Sequence, residues 1–213
     1  EVNRFKAAVK SAKDELSKII EEIPEELREH VHILETHKVM YKDKMLYGKT
    51  IETIEKEQVN AEWALKKVVS AVKVMFKDIS DPYIKGRGAD IAHVSERIMR
   101  HLMGTTKEKI SKIDKRVILV AHDLSPADTS QIQLDRIKGF ITDRGGRTSH
   151  TAIIAKTLDI PSVLGIDTAT SIIQSDDIII VDGENGVVIV NPTDETIIKY
   201  QNRQDAYYQY KAD

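Results

Sequence analysis

The chain contains no cysteine. That excludes disulfides and thiolate metal sites and is in keeping with a reducing compartment. An excess of one charge is also missing: 32 Lys plus Arg stand against 34 Asp plus Glu, so no basic footprint argues for nucleic acid as a partner. There is no signal-peptide pattern and no membrane-length apolar run; stretches such as Ile178–Val181 are only long enough for strands. A cytosolic location without a membrane partner is therefore expected. Internal repeats and low-complexity segments are absent too. What remains is 213 residues, enough for one large or two small domains with real cores.

The chain changes rhythm near Lys115. Before it, helical periodicity dominates. Phe5, Ala8, Val9, Ala12, Leu16 and Ile19/Ile20 form one stripe. Pro24-Glu25-Glu26 restarts a second helix, with Pro in the first turn and acids at the positive end, and this helix should break or bend between Asp43 and Gly48. Asn60 can cap a third, whose buried face runs Ala61, Ala64, Leu65, Val68, Val72, Met75 and Phe76. Asp81-Pro82 opens a fourth, carrying Ile84, Ile91, Val94, Ile98 and Leu102. Four amphipathic helices with short connections imply a bundle. After Lys115 strands alternate with helices: strand Val117–Ala121, a helix over Ser125–Leu134, a strand over Phe140–Thr142, and a helix that ends before Ile160-Pro161. Short strands follow at Ser162–Leu164, Ile178–Val181 and Val187–Val190. The last two are joined by Asp182-Gly183-Glu184-Asn185-Gly186, a hairpin signal. From Thr193 a polar helix leaves, with Ile197, Ile198 and Tyr200 as early anchors.

The most informative residues are Gly145-Gly146-Arg147-Thr148-Ser149-His150-Thr151. A strand runs into a glycine pair, and a helix starts at about Thr148 or Ser149. Adjacent glycines permit positive φ and close approach by a ligand, while a helix start offers N–H groups and partial positive charge to an anion. One histidine thus sits where an anion is welcomed, which suits an imidazole that becomes phosphorylated. Neutral imidazole is nucleophilic near neutral pH, and the N–P bond stays labile enough to pass the group on. Backbone donors and the Thr148 and Ser149 hydroxyls can hold the phosphoryl oxygens. The plainer alternative is a Ser/Thr helix cap beside an incidental surface histidine. Arg147 either pairs with phosphate or is a solvated loop arginine. Asp123 and Asp128 either cap helices or line the site, and His122, at the end of a strand, stays open as a second phosphate-handling group. The helical histidines His30, His32, His37, His93 and His101 show no metal-ligand spacing, so no metal is expected.

The run from Gly145 through Lys156, then Asp159-Ile160-Pro161-Ser162-Val163-Leu164-Gly165, closely resembles the phosphohistidine domain of enzyme I, the phosphoenolpyruvate–protein phosphotransferase of the bacterial sugar phosphotransferase system. The resemblance extends upstream through Val117–Thr129 and takes in Tyr83–Gly104. It implies an α/β swivelling phosphohistidine domain of short strands and helices, over residues 115–192, with an inserted all-α four-helix subdomain over 1–114 that binds an HPr-type carrier. Residues 193–213 would begin a linker helix. His150 becomes the phosphoryl acceptor. Thr129 is implied to contact Nδ1 of His150 and leave Nε2 to react; the plainer alternative is a helix cap beginning at Asp128, and the two can hold together. Glu35–Met40 matches the surface on which the family docks its carrier, which assigns His37, Val39 and Met40 to docking; Lys38, Lys42 and Lys44 make the stretch more basic than usual. The phosphoenolpyruvate-binding barrel, its Mg²⁺ and the dimer contacts are expected outside this sequence, as is the short β segment that precedes the helical region. The isolated chain is expected to be monomeric and to need no cofactor. Two alternatives are a swivelling domain of a pyruvate phosphate dikinase or phosphoenolpyruvate synthase, against which Ser149 (typically Cys there) and the helical insertion argue, and a regulatory adaptor whose phosphohistidine is read by a partner.

Overall fold

The computed structural model describes residues 1–77, 79, 80, 82–105 and 109–212, with side chains for all of these except 82–86. The chain divides into two compact units, Glu1–Lys112 and Ile113–Asp213.

The first unit is all-helical. α1 (Val2–Glu21) buries Phe5, Ala8, Val9, Ala12, Leu16 and Ile19, the expected stripe at helical spacing. Pro24 lies just before a 3₁₀ turn (Glu25–His30) that leads into α2 (Val31–Met40). The chain then turns sharply, with Lys42 N–H on Val39 O and Asp43 N–H on Met40 O. Asp43 is extended (φ −65°, ψ 136°) and its carboxylate accepts from Met45 N–H at 2.7 Å, capping a π-helical turn (Lys44–Gly48) that runs into α3 (Lys49–Glu57). The second expected helical segment is therefore two α-helices. It breaks at 41–43, earlier than expected, because Tyr41 and Leu46 must both reach the core. Asn60 caps α4 (Ala61–Lys77) by accepting from Trp63 N–H at 3.0 Å. Its buried face ends at Val72; Met75 is exposed. α5 (Pro82–Met103) buries Ile91, Val94, Ile98 and Leu102, while Asp81 and the Ile84 side chain lie outside the described residues. Fully burying each such aliphatic side chain contributes about 1.5–3 kcal/mol.

The second unit holds two sheets. β1 (Val117–Ala121), β2 (Ile137–Thr142) and β3 (Ser162–Leu164) are parallel in the order β1-β2-β3. α6 (Pro126–Thr129) lies between the first two strands and α7 (His150–Thr157) between the second and third, as parallel pairing requires crossovers. Expected from Ser125 to Leu134, α6 stops at Thr129, and Ile132 is buried in the turns that return the chain to β2. α8 (Ala169–Ile172), which carries no strong local signal, follows β3. β4 (Ile179–Asp182) and β5 (Val187–Val190) form the antiparallel hairpin. Asp182 stabilises its turn by accepting from Asn185 N–H and Nδ2–H at 3.1 and 2.9 Å. α9 (Asp194–Ala212) has no buried residue and is tied down by Arg203 Nη1 on Asp182 Oδ2 at 3.1 Å. Among the described residues no helix is long and apolar enough to cross a membrane.

Candidate functional site

Parallel pairing puts Ala121, Thr142 and Leu164 at the same sheet edge. The segments that follow them converge there, as they do in open α/β sheets generally. The loop after β2 is pinned from both sides: Asp143 N–H donates to Ala121 O at 3.1 Å, Arg144 N–H to His122 O at 3.0 Å, and Gly165 N–H to Thr142 O at 3.0 Å. Gly145 has φ +110° and Gly165 φ +83°, and a Cβ on Gly165 would stand 3.0 Å from Gly145 O. These two positions require glycine, one for its backbone angle and the other for its angle and the close approach together.

The loop ends in the start of α7. Ser149 is the N-cap (φ −69°, ψ 153°), and its Oγ accepts from Ala152 N–H at 3.2 Å. His150 is the first helical residue and is half-buried. Gly145, Gly146, Arg147 and Thr148 are exposed around it. Thr151, buried behind the histidine, donates its hydroxyl to Leu124 O at 3.1 Å and so ties α7 to the loop before α6. His150 therefore stands at a capped helix start whose macrodipole favours negative charge, an effect of about 0.3–2 kcal/mol depending on exposure.

Thr129 is fully buried at the end of α6, which packs on α7. Its hydroxyl donates to Pro126 O at 3.0 Å, which leaves the oxygen only acceptor capacity toward an imidazole. It is no N-cap. That role belongs to Ser125, which shares a reciprocal capping box with Asp128: Asp128 N–H reaches Ser125 Oγ at 3.2 Å, and Ser125 N–H reaches Asp128 Oδ2 at 3.0 Å. Asp123 accepts from Leu124 N–H at 2.9 Å.

His122, with a side chain 64% exposed, places Nδ1 3.1 Å from Oδ2 of Asp143, whose side chain is only 3% exposed. The Thr170 hydroxyl donates to the same carboxylate, as does Thr170 N–H at 3.0 Å. The Thr170 hydroxyl above all, then its amide and His122, hold the Asp143 carboxyl below its usual value against burial, which pushes the other way.

Two family models divide this chain between them: one described as PEP-utilising enzyme, N-terminal, matches residues 1–87, and one described as PEP-utilising enzyme, mobile domain, matches residues 113–186. The phosphoenolpyruvate-protein phosphotransferase of Bacillus subtilis is 42% identical over 214 residues, covering 100% of this chain. That of Geobacillus stearothermophilus is 41% identical over the same span. A solution structure of an enzyme I protein superimposes with a TM-score of 0.78 at 35% identity, over 98% of this chain and 84% of that one. The chain belongs to the enzyme I family. It spans 38% of the Bacillus relative's length and 37% of the Geobacillus one's. A second structure, of the N-terminal domain of a nitrogen-type enzyme I, is more distant, at 27% identity and a TM-score of 0.59 over 96% of this chain.

The enzyme I docking surface expected on α2 is not one face. His37 is 4% exposed, with Nε2 2.9 Å from Asp90 Oδ1, whereas Val39 is 73% exposed and Met40 half-buried. The helical period explains the split: Leu34, His37 and Tyr41 share the inward stripe, and a residue two positions from His37 points nearly opposite. The assignment of His37 to an open carrier surface is thus corrected, and Val39 alone of the three is fully displayed. The site also contains residues outside the Gly145–Thr151 motif. Asp143 follows the strand directly, and a carboxylate between a strand and a glycine pair is itself a signal. Thr170 carries no local signal, and Gly165 stands only at the end of the resembling run, since their roles come from segments distant in sequence.

Proposed function

We propose that these residues form the phosphoryl-relay region of an enzyme I-like phosphoenolpyruvate–protein phosphotransferase, acting in the cytosol within a sugar phosphotransferase system. His150 takes a phosphoryl group from phosphoenolpyruvate and passes it to a histidine of an HPr-like carrier. The observation that supports this most is the position of His150 as the first residue of α7, after the Gly145–Gly146 loop and its Ser149 cap.

In this reading an imidazole nitrogen attacks phosphorus as the bond to the enol oxygen breaks, and pyruvate enolate leaves. The carrier's imidazole then attacks the same phosphorus as the His150 N–P bond breaks. The first turn of α7 and the Ser149 and Thr148 hydroxyls would donate to the charge that develops on the phosphoryl oxygens, and the exposed Arg147 would supply a cation. Thr129, whose proton is engaged by Pro126 O, would accept from Nδ1–H of His150 and so leave Nε2 as the nucleophile. The donor site and the Mg²⁺ that offsets the donor's charge belong to a domain outside residues 1–213, and α9 begins the connection to it. The helical unit holds the carrier, with Val39 and Met40 as its apolar contact.

Incubation with ³²P-phosphorylated carrier tests the proposal. His150 should acquire acid-labile, base-stable label that returns to unlabelled carrier. His150→Ala should take none while keeping its circular dichroism, because a half-buried helix-start side chain adds little to the core. Equal label on the variant, or label on His122 or His37, would sink the assignment.

A further inference from the structure

α5 carries Asp90 and His93 three residues apart, so their side chains leave neighbouring points on one helix face. α2 lays His37 against that face. The His37 ring stands 6.2 Å from the His93 ring, tilted by 42°, and its Nε2 is 2.9 Å from Asp90 Oδ1. Taking one ring nitrogen from each histidine and one oxygen from Asp90, all three atoms lie within 4.8 Å of one another. His37 is buried and the other two are half-buried, so the cluster is held from within and is reachable from solvent. Two imidazoles and a carboxylate drawn from two packed helices are a different arrangement from a solvated charge pair.

We propose that His37, Asp90 and His93 form a three-ligand site for a transition-metal ion, with Zn²⁺ the best match, and that a bound ion clamps α2 to α5. The donor set decides the class of ion. Imidazole nitrogens suit Zn²⁺, Cu²⁺ and Ni²⁺, whereas Mg²⁺ and Ca²⁺ prefer oxygen ligands throughout. Zinc bonds of about 2.0–2.2 Å put tetrahedral ligand atoms about 3.3 Å apart. The His37–Asp90 pair is already slightly inside that spacing, and a bound ion would have to draw the longer gaps to His93, at most 4.8 Å, together. Acid-x-x-His spacing on one helix, completed by a ligand from another, is also how helical bundles assemble inward-facing metal sites. Three protein ligands leave a fourth position to water. This site lies wholly within the helical unit and does not depend on the phosphoryl-transfer reading.

The test uses the 213-residue chain freed of metal by chelation and titrated with ZnCl₂ near pH 7.5. Calorimetry should give one saturable ion per chain, and the melting temperature should rise with Zn²⁺, because an ion that binds only the folded state stabilises it. In ¹⁵N-labelled protein the ring nitrogens of His37 and His93 should shift together while those of His122 and His150 stay in place. His93→Gln should weaken binding about tenfold or more, at least the loss that disturbing a ligand's supporting contacts produces. The wild-type ring signals need no variant to fold. Absence of saturable binding at millimolar Zn²⁺, perturbation of other histidine rings only, or unchanged affinity in His93→Gln would each overturn the proposal.

Discussion

Gly165 stands against the carbonyl of Gly145: a Cβ at 165 would sit 3.0 Å from that oxygen, and the backbone there has φ +83°. The turn after β3 is thereby the floor of the loop that precedes His150. Gly165→Ala meets both a strained backbone angle and a backbone atom that cannot swing aside, at a cost of about 1–3 kcal/mol. Urea unfolding should show that loss, and transfer of ³²P from a phosphorylated carrier should slow more than the stability change alone explains. Wild-type transfer rates in this variant would show that the loop shape is irrelevant to the chemistry.

Ser149 Oγ accepts from the first-turn amide of Ala152 at 3.2 Å. Ser149→Ala should cost about 0.5–2 kcal/mol, and Ser149→Thr, which keeps the acceptor, much less. Relay activity should follow the same order. An alanine variant as active as the threonine one would argue that the cap serves only the fold.

Asp143 supplies a pH signature. Its carboxyl is held below the usual 3.8, chiefly by the Thr170 hydroxyl, so the folded state binds a proton less readily than the unfolded one. Its stabilising contribution is complete above the ordinary carboxylate range and is lost as pH falls through the lower, folded value. Denaturant midpoints measured from pH 7 downward should therefore show Asp143→Asn weaker than wild type at neutrality, with the two converging below about pH 4. A constant gap across that range would assign the difference to lost packing.

Lys42 and Lys44 are exposed beside the turn that ends α2. Replacing both with glutamate should change stability by less than about 0.5 kcal/mol each, yet alter the rate and salt dependence of carrier association, because rim charges act mainly on encounter. An NMR titration with carrier that perturbs only residues after Arg116, and none near Val39, would show docking elsewhere.

Expressed alone, residues 1–213 are expected to stay unlabelled by ³²P-phosphoenolpyruvate and Mg²⁺ while accepting label from phosphorylated carrier. Labelling by phosphoenolpyruvate at a rate near that of a full-length relative would place donor binding within these residues and refute the division of labour proposed above.

The local sequence determined a good part of this protein. The spacing of Phe5 through Ile19 made α1, Asn60 and Ser149 started the helices they cap, and Gly183–Gly186 turned the β4–β5 hairpin. Each of these rests on interactions within a few residues, where period, cap and turn chemistry act directly. Packing decided the rest. α6 stops at Thr129 because Ile132 is drawn into the core, and the second helical segment divides because Tyr41 and Leu46 must both be buried. Helical periodicity says that His37 and Val39 face apart but not which of them faces in; Asp90, 53 residues away, draws the imidazole inward. Asp143 and Thr170 are 27 residues apart, and Gly145 and Gly165 meet only because β2 and β3 pair in parallel. A chain encodes the elements through neighbours, whereas contacts between elements depend on which faces burial brings together, and no spacing within one element records that.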